Sequence, residues 1–304
     1  MACNKDEITV VVPTLNEKEG ICDLLGELKG CGYNKILVVD GYSSDGTPEL
    51  ASKDGAKVVM QHGIGKTAAI QTALEYVDTE YMLVMDGDCT YDPHDIEKFL
   101  SHSGNFDEII GARVNGRKNI PRFNRFGNWL ITRTFNLFMS ASLSDVCSGM
   151  YLLRAAAAKE IEFNTKGFDV EVEIASHIAT NSNISEVPVN YRERRGKQKL
   201  SSMRHGPTIL NSVINLARAN SPMFIFTSIV MLAYIAAMVL FLYTFWDYYQ
   251  VGIMHEYYFL MGVFFSLLAI QAFMVSTVAL QLKRMERRIT RKMTTRETNQ
   301  DTRL

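Results

Sequence analysis

The sequence predicts an α/β fold, a doubly wound sheet-and-helix domain followed by a two-helix transmembrane hairpin. Three observations predict it. Short runs rich in Val, Ile and Leu alternate with helix-spaced segments through the first half of the chain. Acidic residues close three of those runs. No charged side chain occurs in residues 219–246 or 257–282.

Residues 8–13, 35–40, 56–60, 81–86 and 108–112 are apolar runs bounded by turn residues, and they read as buried parallel strands. Between them, residues 17–29, 48–53, 66–76 and 93–101 carry apolar spacing of helical period or helix-start signals such as Pro48 and Pro93. Alternation of this kind implies right-handed crossovers and a ligand crevice beyond the carboxyl ends of the strands. Three such ends carry polar groups: Pro13, Thr14, Asn16 and Glu17 after the first, Asp40 to Thr47 after the second, and Asp86-Gly87-Asp88 after the fourth. Acids gathered at one sheet edge repel each other unless a cation or hydrogen-bond donors balance them.

Asp86 and Asp88 on a strand-to-loop turn suit one hard divalent cation, Mg2+ or Mn2+, bridged to a diphosphate. Asp40 has two roles open: accepting a hydrogen bond from a nucleobase N–H, or capping the Ser43-Ser44-Asp45-Gly46-Thr47 turn. Gly65-Lys66-Thr67 resembles the end of an ATP-binding phosphate loop, but that loop needs a glycine where Met60 stands. Lys66 opening a helix can still meet a phosphate. The segments from Asp145 to Tyr151 and from Gly167 to Glu173 read as loop-like carboxylate clusters, with Glu171 and Glu173 as solvated helix charges.

Residues 113–144 contain no Asp or Glu, and Arg113, Arg117, Arg122, Arg125 and Arg133 are interleaved there with Phe123, Phe126, Trp129 and Phe135. Such a segment suits an anionic membrane interface. RNA is the competing partner, since arginines with aromatics also bind single strands. The two apolar stretches on the same chain favour lipid, and no nucleic acid is expected.

Each apolar stretch exceeds the roughly 20 residues needed to cross a bilayer core. Lys and Arg flank the outer ends, whereas residues 247–256 contain neither, and Trp246, Tyr248, Tyr249, Tyr257 and Tyr258 cluster there. The positive-inside rule therefore puts both termini of this multi-pass membrane protein in the cytoplasm. The start of the chain runs straight into an apolar strand, so no signal peptide is expected. The net charge of -1 arises from 32 Lys and Arg against 33 Asp and Glu, which cancel and identify no partner. Five cysteines without Cys-x-x-Cys pairing or zinc-spaced histidines read as reduced, structural thiols.

Taken in order, these segments resemble glycosyltransferase family 2, and within it the polyprenyl-phosphate (dolichyl-phosphate) hexose synthases. The likeness spans about residues 7–221 and rests on Val12 to Glu17, Val39-Asp40-Gly41, Ser44 to Thr47, Gly65-Lys66, Asp86-Gly87-Asp88, Gly111-Ala112-Arg113, Asp145 to Gly149, and Val187 to Tyr191 leading to Arg194, Gly196, Lys199 and Leu200. The resemblance implies a nucleotide-sugar-binding, GT-A-like Rossmann-type domain that inverts the sugar's anomeric centre. By position, Pro13, Thr14, Asn16, Glu17, Asp40, Lys66 and Asp86 would hold the donor, and Asp86 and Asp88 the metal. Arg113, Arg125 and Asp145 would face the acceptor phosphate, and Asp86, Asp88, Arg194 and Lys199 would carry catalysis. The chain would divide into a cytoplasmic catalytic domain (1–205), an interfacial amphipathic helix (206–221), a hairpin (222–282, spans about 222–246 and 257–282) and a basic cytoplasmic tail (283–304).

This sequence departs from the family's pattern at Gly41, Thr67 and Gln198, which bear on the donor more than on the reaction. UDP-glucose, UDP-N-acetylglucosamine and GDP-mannose all stay open, as do the length of the polyprenyl or dolichyl phosphate and a homo-oligomeric state. The Gln-x-x-Arg-Trp signature of processive synthases is absent, which favours a single transfer, giving a lipid-linked sugar for glycan assembly. A non-catalytic, membrane-anchored nucleotide-sugar-binding or scaffold protein is the alternative.

Overall fold

The computed structural model describes residues 4–139, 141–163, 170–194, 223–252 and 255–301. Four parallel strands form its first half: β1 (Ile8–Thr14), β2 (Ile36–Asp40), β3 (Lys57–Met60) and β4 (Tyr81–Val84). Helices α1 (Ile21–Gly30), α2 (Thr47–Lys53) and α3 (Lys66–Tyr76) connect them, and α4 (Ile96–Leu100) follows β4. The remainder holds β5 (Glu108–Asn115), α5 (Arg122–Met139), β6 (Tyr151–Arg154), α6 (Ala155–Lys159), α7 (Val170–Asn181) and β7 (Ile184–Asn190).

The seven strands lie in the order β3-β2-β1-β4-β6-β5-β7. β6 is antiparallel to both β4 and β5, so the expectation of a run of parallel strands fails at this point. Residues 108–112 do form a strand, but it does not pair with β4. A run of four residues feeding straight into α6 carries no periodicity from which its direction or its slot could be read. The first helix also starts later than expected, at Ile21, because residues 15–20 are spent on the loop that follows β1.

Alternation along the central strands divides the core between two faces. Val10, Val12, Val38 and Leu83 pack against Leu24, Leu25 and Leu28 of α1 and Phe99 of α4. Val11, Leu37, Val39, Met82 and Val84 pack on the other face against Ile70 and Ala73 of α3 and Ile174 and Ile178 of α7. With both faces covered, the strands are nearly continuous in Val, Ile and Leu. A third cluster holds α5 to α7 through Ile131, Phe135, Met139, Val172 and Ala175.

The strands end unevenly, and this opens the site. β4 stops at Val84, paired with Val11, whereas β1 and β2 continue to the pair Thr14 and Asp40. Pro13 therefore lies past the end of β4, where its missing N–H costs no bond on that side. The chain after Met85 turns away over the notch, and Gly87 is needed for that turn. A Cβ there would lie 2.9 Å from the Thr14 methyl group.

Contacts divide the chain into two units, Met1–Leu216 and Ala217–Leu304. The second holds α8 (Met223–Val251) and α9 (Glu256–Asp301), the latter running through most of the expected tail. Within it, Ala233, Ala237 and Ala269 are buried. A Cβ on Gly262 would lie 2.9 Å from the Phe241 ring, so small residues set the close approach of the two helices. Ile229–Val251 and Glu256–Ala279 span 23 and 24 residues, long and apolar enough to cross a membrane.

Candidate active site

A cavity of about 300 Å³ opens in the notch, lined by the ends of β1, β2 and β4 and by the start of α3. Pro13, Thr14, Glu17, Lys66, Asp86, Asp88 and Arg194 all line it, so the sequence brings seven of its candidates to one place. Asn16 and Asp40 are not among its lining residues. They frame it. Asn16 Oδ1 accepts from Ser44 N at 2.8 Å, its own N–H donates to Ser43 Oγ at 2.7 Å, and Glu17 N donates to Thr47 Oγ1 at 2.9 Å, so the loops after β1 and β2 are laced together.

Asp40 is fully buried, and its carboxylate accepts from Thr14 Oγ1 (2.9 Å), Ser43 N (2.7 Å) and Ser43 Oγ (2.6 Å). Of its two roles, capping the turn is the one the structure displays. A carboxylate has about four acceptor positions, so these three bonds leave the contact with a base N–H open. Next to it, Gly41 and Tyr42 do line the cavity, and Tyr42 holds φ at 64°, a strained value that points its ring outward at 64% exposure.

Asp86 and Asp88 leave the turn after β4 in the same direction, and each meets a cation. Lys66 Nζ lies 2.5 Å from Asp86 Oδ1 and 2.6 Å from Glu171 Oε1. Arg194 lies 3.1 Å from Asp88 Oδ2 and 2.7 Å from Glu17 Oε1. The other oxygen of Asp88 accepts from Thr90 Oγ1 at 2.6 Å. Burial raises the pKa of Asp88 and repulsion from Asp86 adds to it, with Thr90 and Arg194 opposing. Burial works to depress Lys66, but Asp86 and Glu171 outweigh it and hold the ammonium well above its ordinary range. Glu171 is raised by burial, and Lys66 counters that shift.

Glu171, expected as a solvated helix charge, does lie in the first turn of α7, but it is only 8% exposed. The signal for burial was present, since Val170, Ile174 and Ile178 form an i, i+4, i+8 stripe and Glu171 lies beside it. Nothing local, however, names Lys66 as its partner.

The acceptor candidates lie outside the cavity lining. Arg113 Nε and Nη2 donate to the two oxygens of Asp145 at 2.6 and 2.8 Å, a bidentate fork, and Nη2 also reaches Cys147 O at 2.9 Å. Burial works against the charge on Arg113, but Tyr91 and Asp145 outweigh it and raise its pKa well above the usual value. Arg125 is half-buried in the first turn of α5, whose Phe123, Phe126 and Trp129 are exposed. Lys199 and residues 206–221 fall outside the described residues.

Two carboxylates on one turn fit a divalent ion that keeps part of its shell from elsewhere. Among the described residues no group of three or more His, Cys, Asp or Glu is arranged to hold a metal alone. Mg2+ commonly uses one or two carboxylates and completes its shell with water and substrate phosphates. Gly149 makes room for the Asp86 carboxylate itself, with which a Cβ there would collide.

The family model described as glycosyl transferase family 2 matches residues 9–162, from β1 through β6 and α6. The chain belongs to that family. Among relatives of this family 2 glycosyltransferase, glycosyltransferase AglJ of Haloferax volcanii is 32% identical over 83% of this chain and 85% of its own length. The dolichyl-phosphate hexose transferase of the same organism is 33% identical over 69% of this chain and 94% of its own. Among solved structures, the fold is shared with glucosyl-3-phosphoglycerate synthase from Mycobacterium tuberculosis, in complex with Mn2+, UDP-glucose and phosphoglyceric acid. That match has a TM-score of 0.58 at 19% identity, over 69% of this chain and 78% of that one.

Proposed function

We propose that this glycosyltransferase moves a hexose or N-acetylhexosamine from a nucleotide diphosphate sugar to a polyprenyl or dolichyl phosphate at a membrane surface, with inversion. The observation that carries the reading is the cavity in which Asp86 and Asp88 face Lys66 and Arg194, because a metal–diphosphate needs acids for the ion and bases for the phosphates. Relatives named dolichyl-phosphate hexose transferase and undecaprenyl-phosphate mannosyltransferase, the latter from Micrococcus luteus at 26% identity, support the acceptor class. Two aspartates and two cations on one cavity of about 300 Å³ speak against a non-catalytic scaffold.

In this mechanism an oxygen of the acceptor phosphate forms the new bond to the anomeric carbon as the bond to the nucleoside diphosphate breaks, and the electron pair leaves with the diphosphate. A phosphate monoester has a second pKa of about 6 and is largely dianionic at neutral pH, so no strong general base is needed. What the chain supplies is alignment and charge. Thr14 and the Gly41-Tyr42 turn shape the nucleoside end, with Asp40 and Asn16 fixing that turn. Asp86 and Asp88 would hold Mg2+ or Mn2+, which supplies charge neutralisation at the leaving diphosphate. Lys66, Arg194 and Lys199 neutralise the phosphates, and Arg113 and Arg125 face the acceptor, with Asp145 fixing the guanidinium plane of Arg113. The exposed aromatics of α5 and the two apolar helices suit a catalytic domain on the cytoplasmic face of a bilayer.

The test is incubation of membranes carrying the protein with Mn2+, polyprenyl phosphate and labelled UDP-glucose, UDP-N-acetylglucosamine or GDP-mannose, followed by lipid extraction. One donor is expected to label the lipid, and Asp88→Ala to abolish that labelling while the protein stays folded and membrane-bound. Absence of labelled lipid from all three donors, or full labelling by the variant, overturns the reading.

A further inference from the structure

Each aspartate of the Asp86-Gly87-Asp88 turn is paired with a cation that has a second acidic anchor behind it. Arg194 is shared between Asp88 and Glu17, and Lys66 between Asp86 and Glu171. The second cation and its anchor are the more buried: side-chain exposures are 13% for Lys66 and 9% for Glu171, against 28% for Arg194 and 12% for Glu17. Lys66 opens α3, Asp86 follows β4 and Glu171 opens α7, so three elements converge on one ammonium. Tyr151 and Glu108 also act on Glu171, the former with a buried hydroxyl that has no hydrogen-bond partner among the described residues.

A lysine held by Asp86 alone would lose its counter-charge as soon as that carboxylate turned to another cation, and a buried unpaired ammonium is strongly disfavoured. Glu171 removes that difficulty. It keeps a carboxylate on Lys66 Nζ whichever partner Asp86 takes, while the ammonium remains on the cavity wall.

We propose that Glu171 is a positioning residue that acts through Lys66. It retains the ammonium in the cavity when Asp86 exchanges that ammonium for a divalent ion, and so presents Lys66 to the diphosphate of the donor. This rests on the donor-binding reading above. It assigns a role to a residue outside the cavity lining.

The experiment is a double-mutant cycle on the full, detergent-solubilised chain. Binding of UDP and GDP is measured by calorimetry in saturating Mn2+ for the wild type, Glu171→Gln, Lys66→Met and the double variant. Glu171→Gln is expected to weaken the better nucleotide on the order of tenfold, the effect of one buried charge contact. In the Lys66→Met background the same change should have an effect of about twofold or less, because contacts that act as a unit are not additive. Equal losses in both backgrounds, or none in either, overturn the proposal, since Glu171 would then act as a plain charge or as packing. Should Lys66→Met fail to fold, Glu171→Asp decides: retention of most of the nucleotide affinity supports the carboxylate's hold on Lys66, and a loss as large as that of Glu171→Gln overturns it. A wild-type chain that binds Mn2+ but neither nucleotide defeats the donor reading itself, whereas wild-type binding with additive variants defeats only the role of Glu171.

Discussion

Glu108 stands at the first position of β5 with 1% of its surface exposed, and its Oε2 has no hydrogen-bond partner among the described residues. Burial, with Glu171 adding to it, raises its pKa well above the usual carboxylate range. In the unfolded chain the same group titrates near 4.3. Between that pH and the raised value the native state binds more protons than the unfolded state, so stability falls as pH rises through this window. Asp88 and Glu171 are raised as well and act in the same direction. Glu108→Gln keeps the shape and removes one titration. As pH rises above the ordinary carboxylate range, the midpoint of thermal unfolding is therefore expected to fall less steeply for Glu108→Gln than for wild type, leaving the variant the more stable at the alkaline end. Parallel curves for the two proteins would show that Glu108 carries its charge in the native state.

Where two turns meet over the notch, single glycines decide the geometry. The turn that contains Gly149 is fixed from behind: its N–H donates to the Tyr91 hydroxyl at 2.7 Å, and Ser148 Oγ donates to Gly111 O at 2.5 Å. Neither turn can retreat easily, so a methyl group at Gly149 must displace the Asp86 carboxylate and, with it, Lys66. Overpacking of this kind costs about 1–3 kcal/mol. Gly149→Ala is expected to weaken Mn2+-dependent nucleotide binding about tenfold or more, with a smaller change in unfolding temperature, and unaltered binding by calorimetry would show that Asp86 does not need its observed position. The elements that build this meeting differ in how well the sequence revealed them. β1, β2 and β4 are apolar runs closed by Asn16, Asp40 and Asp86, and local pattern alone put their ends on one edge. β6 is a four-residue strand whose reversal is fixed only by its pairing with Val84 on one side and Ile110 on the other. The pairs Lys66–Glu171 and Arg113–Asp145 join residues remote in sequence, and no spacing rule reaches that far. Asp40 shows the opposite limit: both of its roles were legible, and the structure adds the contacts with Thr14 and Ser43 that serve the cap.

At the scale of the whole chain, the near-neutral net charge hides a division between a charged α/β unit and an apolar pair of helices. Ile229–Val251 rises about 35 Å at 1.5 Å per residue, enough for a hydrocarbon core of about 30 Å. The connection between the helices, with Asp247 and Glu256 and no Lys or Arg, would cross readily. The basic run Lys283, Arg284, Arg287 and Arg288 would resist crossing. On the proposed reading, in which a nucleotide sugar and the Asp86–Asp88 cavity share a compartment, the same orientation would put the α/β unit on the cytoplasmic side. Two exposed positions test this, Gln250 beside the connection and Ser52 in α2. In a cysteine-free background and intact cells, Gln250→Cys is expected to react with a membrane-impermeant maleimide from outside, and Ser52→Cys only after permeabilisation. Labelling of both from outside would reverse the orientation. Protection of Gln250→Cys together with Ser52→Cys would mean that the helices lie against the bilayer or within the protein instead of spanning it.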